Sequence, residues 1–580
     1  MQIANLKASV LILLVAAAST LSCKKEKMAV DTATPVIPPV TNNEVVPVND
    51  PEIAKTIGFF SREWQAKSFI APAYTETSIP ASTTATVTID ASSIITKIPQ
   101  SIFGHNAVWW MGPVPAAASA NIKNLNPDII RFPGGNASNQ YFWNAEQGKL
   151  PSDVPDTYVD ADGVSHPATY NYGKTDHNWE LNLAAYYDLL QQTGSQGIIS
   201  VNYSYARYST AANPVASAAH LAADWVRYDN GRTLYWEVGN EHYGNWQVGY
   251  RIDKSKNKDG QPEIINGELY GNHAKVFVDS MRKAAAEINK TIYIGIVIHE
   301  TPSPEAWQTQ TTKTWNAGVM KAAGDKADFY VAHNYFTTSG NESAGAILSS
   351  ATTVPASMMN FINQELQTNG APIKPVALDE WNMFAGGSKQ QVSNVSGLFA
   401  LLVQGESIKN KYGMAARWDF VNGWENGNDH GLFSSGDEPG IAKWSPRPSF
   451  YYMYYFRKLL GDRLVPCTVE GSTELKSYAS TYTSGEANVN IVNTSSTAES
   501  VLLKFKNFNA GNRYYWYTLE GASDNGEFSR KVLVNGSGPA LDAGGPADYL
   551  SIKARSSGTA NGLKVTVPAR GAVFVVISKK

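Results

Sequence analysis

Two glutamates stand in settings that suit proton transfer and nucleophilic attack: Glu241 in WEVGNEHYGNW and Glu380 in VALDEWN. Each closes an apolar run, where a carboxylate leaves a packed core for an open rim. Two carboxyl groups facing one another across a cleft can hydrolyse a glycosidic bond. One protonates the leaving oxygen, and the other attacks the anomeric carbon or activates water. A separation of roughly 5–5.5 Å gives retention through a covalent glycosyl-enzyme, and ~6.5–9.5 Å gives inversion. Spacing along the chain leaves that distance open.

The neighbours fit the same chemistry. Asn240, beside Glu241, is placed to hydrogen-bond a sugar 2-hydroxyl, a contact that strengthens in the transition state. Arg131 in DIIRFPG is expected to hold Glu380 ionised, and Tyr335 in DFYVAHNYF to donate to the same carboxylate. Glu241 must instead keep a proton, which asks for partial desolvation or the nearby charge of Glu380. Trp109, Trp110, Trp246, Trp381, Trp418 and Trp424 all fall at or just past the ends of apolar runs. Any one of them suits packing, but together they suggest a carbohydrate cleft, because an aromatic face covers the apolar face of a sugar ring.

Other chemistries find less support. The nine histidines include no H-E-x-x-H or comparable ligand spacing, so neither a metal nor a cofactor is expected. The stretch DKSKNKDGQPE (253–263) resembles a calcium loop only faintly, its glycine being misplaced, and reads as a solvated insertion. There is no G-x-S-x-G of the common serine esterases. A net charge of -3 exerts no pull toward nucleic acid. The competing reading from another class is a glycan-binding surface lipoprotein without catalysis; the presence of both carboxylates speaks against it.

The elements that must position these residues alternate. Apolar runs occur at 101–108, 128–134, 197–203, 233–241, 291–300, 328–336, 375–382 and 416–423, with helical spacing between them at 178–193, 214–227, 268–289, 355–368 and 392–407. Eight such runs predict an α/β fold, a (β/α)8 TIM barrel over 98–460, whose working residues sit at the C-terminal ends of the strands. The open doubly wound sheet is the alternative, but no G-x-G-x-x-G or Walker sequence is present. From 461 to 580, alternating segments such as ANVNIVNTS and AVFVVISKK, spaced by turn residues, predict a C-terminal antiparallel β-sandwich. The segment 81–97, with ATVTID, is expected to add a strand to it.

The first residues read as an export leader. Lys7 precedes an apolar run from Ala8 to Leu21, and Ser22-Cys23 follows. The run is short for a bilayer span. A cysteine at that place resembles a bacterial lipobox, which implies a signal peptide over 1–22 and acylation of Cys23. The expectation is an outer-membrane-anchored lipoprotein, periplasmic or at the cell surface. Residues 23–80 then comprise a proline-rich tether and a poorly assigned segment with a short helix possible near Pro51 to Lys67. Cys467 is left without a partner, as a structural thiol. The oligomeric state is not legible.

RFPGGN (131–136), WEVGNE followed by GNWQVGYR (236–251), H-N-Y (333–335) and DEWN (379–382) resemble the α-L-arabinofuranosidases of glycoside hydrolase family 51, and more broadly the retaining barrel glycosidases of clan A. The resemblance covers about residues 100 to 425. It implies retention, with Glu241 as acid/base and Glu380 as nucleophile. It also implies that Arg131, Asn136, Asn240, His333 and Tyr335 touch substrate. Two positions depart from the family. Val108 stands where the family has a glutamate that contacts the terminal furanose, and Asp419 in RWDFVN stands where it has a glutamine. With Trp109 and Trp110 following Val108, the sugar pocket differs from the family's. An endo-acting clan A glycanase of xylanase or agarase type is therefore the alternative.

Overall fold

In a computed structural model, which describes residues 54–580 other than Ala385, the eight apolar runs are eight parallel strands. They are β1 (Gly104–Asn106), β2 (Ile129–Phe132), β3 (Gln196–Val201), β4 (Thr233–Val238), β5 (Tyr293–Val297), β6 (Phe329–Tyr335), β7 (Val376–Asn382) and β8 (Met414–Arg417), and they close into a barrel in that order. Their residues are almost all buried, as expected of a sheet whose inner face fills the barrel and whose outer face lies under helices. The helices of ten residues or more among the described residues are α1 (Ala116–Leu125), α2 (Leu183–Thr193), α3 (Pro214–Asp229), α4 (Gly267–Glu287), α5 (Gln310–Ala323), α6 (Ala344–Thr368), α7 (Asn394–Lys409) and α8 (Pro448–Leu459). Asn182, Asn213, Asn266, Thr309, Ser343 and Ser393 cap α2 to α7 by accepting from a free first-turn N–H.

Three of these helices, α1, α5 and α8, were not expected. In α6 the expectation started at Pro355, a residue that suits a helix's first turn. The helix begins at Ala344 instead and carries Pro355 inside it. Among the described residues no helix is long and apolar enough to cross a membrane.

The N-terminal end of the barrel is plugged. A 3-10 turn, Gly58–Glu63, stands where a short helix was possible. It puts the Phe59 ring 3.9 Å from Tyr293 and the Phe60 ring 4.9 Å from Tyr235 and 5.5 Å from Phe329. Those three partners lie at the starts of β4, β5 and β6. The plug leaves the C-terminal end as the open face.

The sandwich consists of a nine-stranded and a four-stranded sheet, with Ala85–Asp90 in the smaller one as expected. It is not wholly antiparallel. Ala85–Asp90 runs parallel to Glu499–Lys506, and Tyr74–Glu76, from the segment left unassigned, runs parallel to Ala554–Gly558. A strand delivered from before the barrel is not bound by the hairpin geometry that makes sequential neighbours antiparallel. Helix α7 is buried on every side because it lies between the barrel and the larger sheet. Asn394 bonds the Arg570 carbonyl, and Tyr478 donates to Glu406. The Cys467 thiol is free and partly buried, 3.2 Å from the Ser477 carbonyl.

Candidate active site

Glu241 lies three residues past β4, and Glu380 lies within β7, so both reach the open face. One carboxylate oxygen of each, together with a ring nitrogen of His333, falls within 4.8 Å of the others. The nearest oxygens of the two carboxylates thus approach one another more closely than the roughly 6.5–9.5 Å between the carboxyl groups of an inverting pair.

Glu380 is held from two sides. Arg131 Nη1 donates to Oε2 at 3.0 Å, and the Tyr335 hydroxyl donates to Oε1 at 2.7 Å. Glu241 receives Trp246 Nε1 at 3.0 Å and Gln247 Nε2 at 3.3 Å on one oxygen. His333 Nδ1 stands 3.2 Å from its other oxygen and 3.5 Å from Glu380 Oε2. Asn240 has its amide oxygen on Arg131 Nη2 at 2.9 Å.

Beneath this pair lies a buried layer of charge that the sequence reading missed. Arg131 pairs with both oxygens of Glu237, at 2.7 and 2.8 Å, and its Nε is 3.6 Å from Asp379. His333 Nε2 is 3.1 Å from Asp379 Oδ1. Asn106 accepts from Arg131 Nη1 at 3.1 Å. The signal was available: a charged residue in the middle of an apolar barrel strand must point inward and find a partner. Glu237, His333 and Asp379 also present ligand atoms within 4.8 Å of one another, as a metal would need. Arg131 and His333 already supply positive charge at that point, so the cluster reads as an ion-pair layer.

The charges set the proton balance. Burial alone would push the His333 imidazole down, but the Glu380 charge and the contacts to Asp379 and Glu241 outweigh it and hold its pKa well above the ordinary value. Burial lifts Glu241, yet the His333 hydrogen bond and charge and the Trp246 N–H carry it below the usual range. Glu380 is raised by burial and by the Glu241 charge, against His333, Arg131 and Tyr335. These directions oppose the expectation of an ionised Glu380 beside a protonated Glu241. The reason is His333, which the sequence reading treated only as a substrate contact. Its Nδ1 proton lies one short transfer from Glu241 Oε1, and that transfer converts an ion pair into neutral imidazole and carboxylic acid. Glu237 is raised to about 7, by burial first and by the Asp379 charge second.

The open face holds a cleft of about 840 Å³. Trp109, Trp110, Asn136, Asn240, Tyr335 and both glutamates line it, as expected. Trp418 packs over Gly134 and Gly135 and forms part of its floor. Both glycines have positive φ, and a Cβ at Gly135 would stand 2.9 Å from the Trp418 ring. Trp246 is half exposed on the rim.

Four expected contacts are corrected: Arg131 and His333 are buried beneath the glutamates, outside the lining, and Trp381 and Asp419 leave it altogether. Trp381 is fully buried, with its ring 6.2 Å from Phe399, and does not line the cleft. Asp419 is fully buried too, and burial and the Asp429 charge raise its pKa well above the ordinary value. Trp381 lies inside β7 and faces outward against Phe399 of α7, whereas Asp419 follows β8 and turns into packed neighbours instead of solvent. Val108 is also buried and outside the lining. Trp424 stands under the guanidinium groups of Arg447 and Arg530, away from the lining. Trp179, His177 and Glu180, from the long connection between β2 and α2, line the cleft without having been foreseen. Cys23 lies outside the described residues.

Comparison with known proteins agrees with the barrel fold. Residues 121–330 match the family described as alpha-L-arabinofuranosidase 1 domain. An intracellular exo-alpha-(1->5)-L-arabinofuranosidase of Acetivibrio thermocellus is 23% identical over 239 residues, 38% of this chain and 39% of that enzyme. The matched region is thus about two fifths of that relative's length. The α-L-arabinofuranosidase of Thermotoga maritima, solved with arabinose, superposes with a TM-score of 0.58 at 17% identity, covering 85% of this chain and 99% of the other. A bifunctional glucanase-xylanase from a metagenome library, CelM2, superposes with a TM-score of 0.56 at 12% identity, covering 86% and 99%.

Proposed function

We propose that this chain, a (β/α)8 glycoside hydrolase of the family 51 α-L-arabinofuranosidase kind, cleaves arabinofuranosyl linkages of an extracellular polysaccharide, or of its oligosaccharides, with retention of configuration. The approach of the Glu241 and Glu380 carboxylates to within 4.8 Å, over a sugar-sized cleft, carries the reading.

Glu380 attacks the anomeric carbon. Arg131 and Tyr335 fix both of its oxygens. Glu241, taking the proton from His333, protonates the leaving oxygen and later withdraws a proton from water to release the sugar. Asn240, oriented by Arg131, faces the sugar 2-hydroxyl. Trp246 and Gln247 hold Glu241 from the rim.

Product analysis by proton NMR tests the reading directly. The first product should carry the anomeric configuration of the substrate, and Glu380→Gln should remove turnover. Inverted first product would rule out a nucleophilic Glu380.

We further propose that the chain is exported and acylated on Cys23. The charged start, the apolar run from Ala8 to Leu21 and the cysteine after it support this. Metabolic labelling with palmitate, lost in Cys23→Ser, is the expected outcome.

A further inference from the structure

The cleft is several times larger than one sugar ring needs, and one of its walls comes from a part of the chain with no role in bond cleavage. The connection between β2 and α2 folds over the barrel mouth as two short strand pairs, Tyr141–Phe142 with Asn171–Tyr172 and Thr157–Val159 with Ser165–Pro167. It delivers Trp179 to the cleft with 48% of its surface exposed.

That indole is not loose. Its ring centre is 5.3 Å from Trp109, at an interplanar angle of 59°, and His177 stacks on it at 5.6 Å and 22°. The Leu181 N–H, two residues on, donates to the Trp109 carbonyl at 2.6 Å, and His177 Nδ1 is 3.1 Å from Glu180 Oε1. A large apolar face held rigid at the wall of a concave site has already met the ordering cost of binding. The ligand that suits such a face, with hydroxyl-matching groups beside it, is a sugar ring presenting its C–H face.

Charge narrows the ligand further. The acidic side chains lining the cleft are Glu180, Glu241 and Glu380, and no lysine or arginine lines it. An anionic glycan would meet three carboxylates and no lysine or arginine at the wall to receive its charge. We propose that Trp109 and Trp179 form a binding subsite, remote from the bond that is cut, for a further uncharged sugar unit of the polysaccharide chain.

The proposal rests on the glycosidase reading, and two measurements keep the two apart. The first compares kcat/KM of wild type and Trp179→Ala on linear arabinan and on 4-nitrophenyl α-L-arabinofuranoside, which carries a single sugar unit. The polymer-to-aryl ratio should fall about tenfold, the worth of one aromatic contact, and Trp179→Phe should restore part of it. An unchanged ratio overturns the subsite.

The second needs no turnover: affinity electrophoresis of Glu380→Gln, with and without Trp179→Ala, through gels containing arabinan or its carboxymethylated form. Retardation by neutral arabinan should be lost with Trp179→Ala and should be weaker in the carboxymethylated gel. Retardation that survives Trp179→Ala, or that is as strong in the charged gel, overturns the proposal. A wild type that cleaves neither substrate yet is retarded through Trp179 overturns the hydrolase reading and leaves the subsite standing.

Discussion

Asp379 and Glu380 are consecutive in β7, yet both turn to the same buried guanidinium, with Arg131 Nε 3.6 Å from Asp379 and Nη1 3.0 Å from Glu380. A regular strand forbids this, because successive side chains alternate between faces. The pairing explains it. Register between β6 and β7 shifts between Ala332 and His333, where Leu378 is the partner of Ala332 but Glu380 that of His333. β7 thus carries one extra residue, a bulge, of the kind that re-aims side chains beside active sites. Asp379 thereby reaches beneath His333 while Glu380 reaches the cleft.

That position gives Asp379 a measurable influence. Its charge, 3.1 Å from His333 Nε2, helps hold the imidazole protonated. Asp379→Asn removes the charge and keeps the shape, so the His333 pKa falls. The proton available to Glu241 is then lost at lower pH, and the alkaline limb of the kcat profile should move down by about one unit, the size of one lost close charge pair. A profile lowered in height with its limbs unmoved would show that Asp379 acts on packing alone.

Glu237 should make folding stability depend on pH. Its folded pKa, about 7, exceeds the ordinary 4.5. The folded state therefore binds more protons than the unfolded state between those values. The contribution is fully present below pH 4.5 and is lost as pH rises through 7. Glu237→Gln cannot titrate, so its denaturation midpoint should fall less than that of wild type from pH 5 to pH 8, whatever its absolute stability. Parallel curves for the two proteins would remove Glu237 from the account.

Tyr335→Phe deletes one donor to Glu380 and nothing else in its shape. A hydrogen bond to an ionised group is worth about 1.5–3 kcal/mol, so kcat/KM should drop roughly ten- to hundredfold. The acid limb should rise in pH, because the Glu380 carboxylate loses a stabilising contact. A steady-state pH series on one aryl glycoside checks both.

What could be read from the sequence divides along physical lines. All eight strands were legible because burial on both faces leaves a continuous apolar run, and the two glutamates because they end such runs at the rim. The wall that carries Trp179 was not. Residues 141–182 hold only short strand pieces, and their place over the cleft depends on contacts such as Leu181 to Trp109 that no periodicity records. Glu237 and Asp379 were visible as charges inside apolar strands, but a regular strand would turn only one of Asp379 and Glu380 to the interior, and no periodicity marks the bulge that turns both. Trp381 was misplaced because it closes an apolar run, while its position next to Glu380 in β7 turns it to the outer face, against Phe399.

The barrel's closed end offers a control for effects at the open one. Phe60 is fully buried between Tyr235 and Phe329 and lies at the opposite end from the glutamates. Phe60→Ala should cost about 3–5 kcal/mol in urea denaturation while leaving kcat per folded molecule as it was. A loss of kcat larger than the loss of folded protein would mean that the plug also shapes the site.

The assignment of Glu241 as acid rests on its place beside the leaving group, so it is best tested by varying the leaving group. With an aryl glycoside whose phenol departs easily, protonation contributes little, and Glu241→Ala should slow glycosylation only slightly. With a poor phenol or an arabinan linkage, the loss should approach the roughly 10²–10⁴-fold worth of general acid catalysis. A plot of log kcat/KM against phenol pKa should therefore be steep for Glu241→Ala and shallow for wild type. Azide should restore turnover on the good leaving group, because it attacks the glycosyl-enzyme without needing a base. Equal losses on good and poor leaving groups would shift the acid role to another residue, and His333, 3.2 Å away, would be the first to examine.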